Sequence, residues 1–216
     1  PRVERTEWFP RGTADCPLVG PRLAEHLMGA TEGMDYVAVQ YDKTPLGLAI
    51  ELIRREAPMA GDLRRIVASL HIAGELERIG DYAEGIAKIT HLLSDKPLPK
   101  DIIDIPRMGD RAVSMLKHSL EAFLTRDPEK AEATAMGVGP YDHAVDTMYA
   151  TIQTELMELM RLDPENVETG TYLMWAAHNV ERIADRATNI AERVVFQATG
   201  KLVRVNGDDD DAESPT

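Results

Sequence analysis

Residues 77–87 read ERIGDYAEGIA, and residues 181–191 read ERIADRATNIA; the two agree in seven of eleven positions. Each copy lies about two-thirds of the way along a stretch that follows a proline, Pro58 for the first and Pro164 for the second. In both, apolar residues recur at helical spacing: Leu76, Ile79, Ala83 and Ile86 in one, Val180, Ile183, Ala187 and Ile190 in the other. Beside each seam runs a line of small residues seven apart, Ala73, Gly80 and Ala87 against Ala177, Ala184 and Ala191. Small residues in that register let a neighbouring helix approach closely. The repeat implies two copies of one helical unit. Two are too few for an open solenoid, so the units are expected to pack as bundles.

Working outward, residues 45–57 read as a short helix stopped by Pro58, which then opens the next helix over about 59–94, since a first-turn proline loses no hydrogen bond. Pro97 and Pro99 mark a linker at 94–101. A helix follows at about 102–126, with Ile105, Met108, Ala112 and Met115 as its seam. Asp127-Pro128 starts a helix to about 162 that Gly137, Gly139 and Pro140 must bend or break, and Asp163-Pro164 starts the last, ending near Gly200. The reading is all-α: a divergent N-terminal segment at 1–44 with little regular structure, a partial first repeat at 45–95, a second repeat at 101–203, and a disordered acidic tail at 207–216.

The bulk numbers agree. With 216 residues, 44% hydrophobic and only 5% aromatic, the chain has enough Ala, Leu, Ile and Met for helical cores packed without many rings. A net charge of −13 argues against nucleic acid and for cations. One cysteine, Cys16, excludes an internal disulfide or a Cys-rich metal site. No run approaches a membrane span and no leader is evident at the start, so a cytoplasmic location is expected.

The chemistry lies in paired carboxylates. Glu77 and Asp81 are four apart on one helix, as are Glu181 and Asp185. Like charges at that spacing cost a helix about 0.2–0.5 kcal/mol. A pair placed twice at matching positions suggests a cation that offsets the repulsion, in a groove beside a neighbouring helix. A third pair, Asp142 and Asp146, lies on the preceding helix, whose seam is Val145, Met148, Ile152, Leu156 and Leu159. Asp142 is three before Val145 and leans toward the core. Antiparallel packing of the last two helices brings Asp142 and Asp146 opposite Glu181 and Asp185. Four converging carboxylates cannot all stay ionised without a counter-charge. Oxygen ligands suit iron, manganese, magnesium or calcium. The plain alternative is a solvated helix face, with Arg78 and Arg182 next in sequence. His178, three before Glu181, reads as a rim histidine with the option of joining the site. Asn189, four after Asp185, reads either as a supporting hydrogen bonder or as a polar edge. The chain carries no Walker A loop, G-x-G-x-x-G, H-E-x-x-H or G-x-S-x-G motif.

These residues resemble the PhoU family. Glu77-Arg78-Ile79-Gly80-Asp81 and Glu181-Arg182-Ile183-Ala184-Asp185 look like its E-R-I-G-D-type motif, and Pro58-Met59-Ala60-Gly61-Asp62-Leu63-Arg64 like the run that precedes the first motif. Asp142 and Asp146 resemble its Asp-x-x-x-Asp pair. The resemblance covers about 46–203. It implies a six-helix fold of two three-helix repeats, with multinuclear iron or zinc clusters on the carboxylate pairs. It also implies negative regulation of phosphate uptake and phosphate-starvation signalling, between a phosphate ABC transporter and a sensor histidine kinase at the inner membrane face. A homodimer is expected alongside those partners, and no catalytic activity. The chain departs from the pattern at its N-terminus, where Asp35 and Asp42 are not four apart. A ferritin-like di-metal enzyme is the first alternative, but no Glu here has His three residues later. A metal-free helical adaptor is the second.

Overall fold

The computed structural model describes residues 53, 60–96, 98 and 104–206. The expectations for residues 1–44, for the short helix before Pro58 apart from helical Ile53, and for the acidic tail at 207–216 fall outside them. Among the described residues the structure is helical with no strand. The helices among the described residues are α1 (Ala60–Leu93), α2 (Asp104–Leu124), α3 (Pro128–Met136), α4 (Gly139–Leu162) and α5 (Val167–Thr199), with a 3-10 turn, Pro164–Asn166, between α4 and α5.

Local chemistry sets the ends. Asp127 caps α3, accepting from the Glu129 and Lys130 amides at 3.0 and 3.2 Å, and Pro128 fills the first helical position. The Gly137-Gly139-Pro140 run breaks the chain rather than bending it: α3 stops at Gly137, and α4 restarts two residues on with Pro140 in its first turn. Asp163 accepts from the Glu165 amide at 3.0 Å and starts the turn into α5. Gly200 ends α5 in the left-handed region, at φ 77°.

The long α5 is the axis of the assembly, packed against α1, α2, α3 and α4. Its seam Val180, Ile183, Ala187 and Ile190 is buried throughout, as is its small-residue line Ala177, Ala184 and Ala191. The α4–α5 pair is antiparallel, because contacts at 142–188, 149–178 and 160–171 step in opposite directions. The α1–α5 pair is antiparallel too, with contacts at 64–197 and 75–186. Buried Ser119 ties α2 to α5 at the Ala187 carbonyl, 2.8 Å away.

The small-residue line differs between the two copies. In α1, Gly80 is exposed, and a Cβ built there meets nothing within 4 Å. The close approach falls instead at Gly85, where such a Cβ would lie 2.9 Å from Asn179 Nδ2 of α5. Among the described residues no neighbouring helix packs on Gly80, because α5 crosses α1 on a different face.

Candidate metal centre

Asp142 and Asp146 lie in the first two turns of α4, and Glu181 and Asp185 lie mid-way along α5. The antiparallel register puts them at the same level of the bundle. Asp142 is 3% exposed. Its Oδ1 accepts from Thr188 Oγ1 at 3.0 Å and its Oδ2 from Asn206 Nδ2 at 2.7 Å. Burial raises its carboxyl above the usual aspartate range, the charges of Asp146 and Asp185 add to this, and the two hydrogen bonds oppose it. Asp146, one turn on, is exposed. Asp185 Oδ2 receives Arg182 at 2.9 Å and lies 3.8 Å from Arg186.

Glu181 is the most perturbed of the four. Its side chain is 18% exposed. Burial first, then the negative charges of Asp185, Asp146 and Asp142, push its carboxyl to about 7 against the opposing pull of Arg182. Its Oε2 is buried with no hydrogen-bond partner. His178 Nδ1 stands 3.5 Å from that oxygen, within ion-pair range but outside hydrogen-bonding geometry. The same nitrogen faces the Tyr149 hydroxyl at 3.3 Å, in hydrogen-bond range. His178 is thus a half-exposed rim residue beside the cluster.

The first-repeat pair is placed differently. Glu77 and Asp81 are both exposed on α1. The α1 carboxylate that meets α5 is Glu75, two residues earlier. Its Oε2 accepts from Arg186 at 3.3 Å and from Asn189 at 3.4 Å, and its Oε1 from Arg78 at 3.2 Å. Asn189 therefore serves the α1–α5 contact rather than the cluster. Glu77 and Asp81 do not reach the α4–α5 carboxylates, because α1 lies along another face of α5.

The α4–α5 set fits a hard cation in charge and donor type, with four carboxylates, two of them raised in proton affinity, and one orphaned buried oxygen. Its oxygens are not gathered as a ligand cage: among the described residues no three His, Cys, Asp or Glu side chains are grouped to hold a metal ion. A cation here would compete with the donors on Asp142 and with Arg182 at Asp185 Oδ2. The sequence reading missed Thr188, Asn206, Glu75 and Arg186. Thr188 was within reach, since Glu181, Asp185 and Thr188 follow at i, i+4 and i+7 on one helix face. Asn206 carried no signal, being outside any helix.

Comparison with known proteins agrees with this architecture. The family model described as PhoU domain matches residues 45–90 and 105–194. A Zymomonas mobilis protein, "Phosphate-specific transport system accessory protein PhoU homolog", is 36% identical over 87% of this chain and 76% of its own length. A Caulobacter vibrioides protein of the same description is 38% identical over 87% of this chain and 80% of its own. The crystal structure of PhoU from Pseudomonas aeruginosa superposes with a TM-score of 0.67 at 27% identity, over 88% of this chain and 92% of that one. The PhoU structure from Streptococcus pneumoniae, a phosphate transport system regulatory protein, gives 0.65 at 26% identity, over 89% and 92%. On the family match, the identities and the shared helical fold together, this chain belongs to the PhoU family.

Proposed function

We propose that this chain is an accessory regulator of phosphate transport, without catalytic turnover, that restrains phosphate-starvation signalling between a phosphate ABC transporter and a sensor histidine kinase. The observation that carries the reading is the 36% identity, over 87% of the chain, to a protein described as a phosphate-specific transport system accessory protein. Among the described residues no helix is long and apolar enough to cross a membrane. In this reading contact with a transporter is peripheral, from the cytoplasmic side. The division into a partial repeat at 45–95 and a second at 101–203 belongs to the same reading, as does a homodimer.

Metal binding is part of the proposal. Asp142, Asp146, Glu181 and Asp185 would hold iron or zinc, and the bound ion would neutralise the charge that the two helices bring together. The orphaned Glu181 Oε2 supports this. Glu77 and Asp81, exposed on α1, would form a weaker second site. A metal-free adaptor is the competing reading, favoured by the protein donors already on both oxygens of Asp142.

Deleting the gene tests the regulatory role. Phosphate-starvation genes are expected to stay on in phosphate-replete medium, and normal shut-off would remove the chain as the main restraint. Metal analysis of protein purified without chelator separates the metal-binding regulator from the adaptor.

A further inference from the structure

The segment after α5 is built to reach Asp142. Gly200, at φ 77°, reverses the chain. Six further residues, 201–206, run back toward the start of α4. Extended, they span about 20 Å, and the helical distance back from Thr199 to Thr188 is about 17 Å, so the segment is just long enough to bring its last residue level with Thr188. Val205 anchors it. Its side chain is 5% exposed and joins the core, and its amide donates to Glu192 Oε1 at 3.4 Å. Its carbonyl oxygen lies where a Cβ on Gly139 would be only 2.2 Å away, so the segment seats against α4 through a glycine. Asn206 then donates to Asp142 Oδ2 at 2.7 Å.

The two donors on Asp142 differ in accessibility. Thr188 is buried and holds Oδ1 from inside, whereas Asn206 is exposed and holds Oδ2 at the surface end. Held this way, Asp142 is not part of any ligand group. We propose that residues 201–206 are a latch: Asn206 holds the outer oxygen of Asp142, and a divalent cation must displace Asn206 to recruit that oxygen. Cation binding and docking of the segment therefore exclude one another, and loading the site releases the chain beyond α5. The inference rests on the cation-binding reading of the four carboxylates.

The test uses the full chain, Mn²⁺ as probe, and the Asn206→Ala variant, with helicity measured on both proteins. Mn²⁺ is expected to bind Asn206→Ala about tenfold more tightly than wild type, because a hydrogen bond to a charged group no longer has to be broken. In wild type, hydrogen exchange at the Val205 amide is expected to accelerate when Mn²⁺ is added. Equal or weaker binding by the variant while wild type binds, or a Val205 amide equally protected with and without Mn²⁺, overturns the latch and leaves the cation site standing. If neither protein binds Mn²⁺, the cation reading falls and the latch with it.

Discussion

Thr188 on α5 and Asp142 on α4 are joined by a 3.0 Å hydrogen bond across 46 positions of sequence, and both residues are more than nine-tenths buried. A buried carboxylate beside two other acidic residues is costly unless its oxygens are satisfied. Thr188 satisfies one from within the bundle. Replacing Thr188 by Val keeps the shape and removes that donor. The expected cost is about 1–3 kcal/mol of unfolding free energy. Urea denaturation measures it, and Thr188→Ser should restore most of the loss. A Val variant as stable as wild type would mean that Asp142 is held by Asn206 alone.

Metal occupancy should differ between the two carboxylate pairs. Asp185 lies with Asp142 and Glu181 in one electrostatic cluster, whereas Asp81 is exposed on α1. Affinity follows ligand number and charge. Asp185→Asn should sharply lower the metal-to-protein ratio with helicity unchanged, and Asp81→Asn should do much less. Equal losses would make the two sites equivalent. No loss from either would return the carboxylates to an ordinary solvated face.

Stability should depend on pH through Glu181. Its carboxyl, raised from the glutamate value of 4.5 to about 7, binds protons more tightly folded than unfolded. Its contribution is therefore fully present below about pH 4.5 and is lost as pH rises through 7. Asp142 acts in the same direction. In chelator, the melting temperature of wild type relative to Glu181→Gln should fall between pH 4.5 and 8. Added divalent cation should flatten that fall above pH 7. A difference that does not change with pH would show that the Glu181 carboxyl binds protons equally well folded and unfolded.

Two glycine substitutions should act in opposite directions. Gly80→Ala meets open space on an exposed helix face and should stabilise by about 0.5–1 kcal/mol. Gly139→Ala places a Cβ 2.2 Å from the Val205 carbonyl oxygen and forces backbone to move, so it should lower the melting temperature and expose the Val205 amide to exchange. Thermal melts with hydrogen exchange check both.

The sequence by itself determined the helices and their punctuation. Asp127, Asp163, Pro128, Pro164 and Gly200 act on backbone groups within a few residues of themselves, so their effects are local. It also determined that Asp142, Asp146, Glu181 and Asp185 would share one level of an antiparallel pair, because helical periodicity and a short connection leave the last two helices little choice of register. What it left open depends on distances between helices. Asp142 and Asp146 look equivalent at i and i+4, yet one is buried and the other exposed: a step of four residues turns about 40° around the helix, and Thr188 of α5 and Asn206 of the returning segment both meet Asp142. Glu77 and Glu75 differ by two positions, which is about 160° of turn, and the line along which α5 crosses α1 selects Glu75. That crossing line, like the seat of Val205 on Gly139, is set by how whole surfaces of side chains fit together, a property that belongs to no single stretch of sequence.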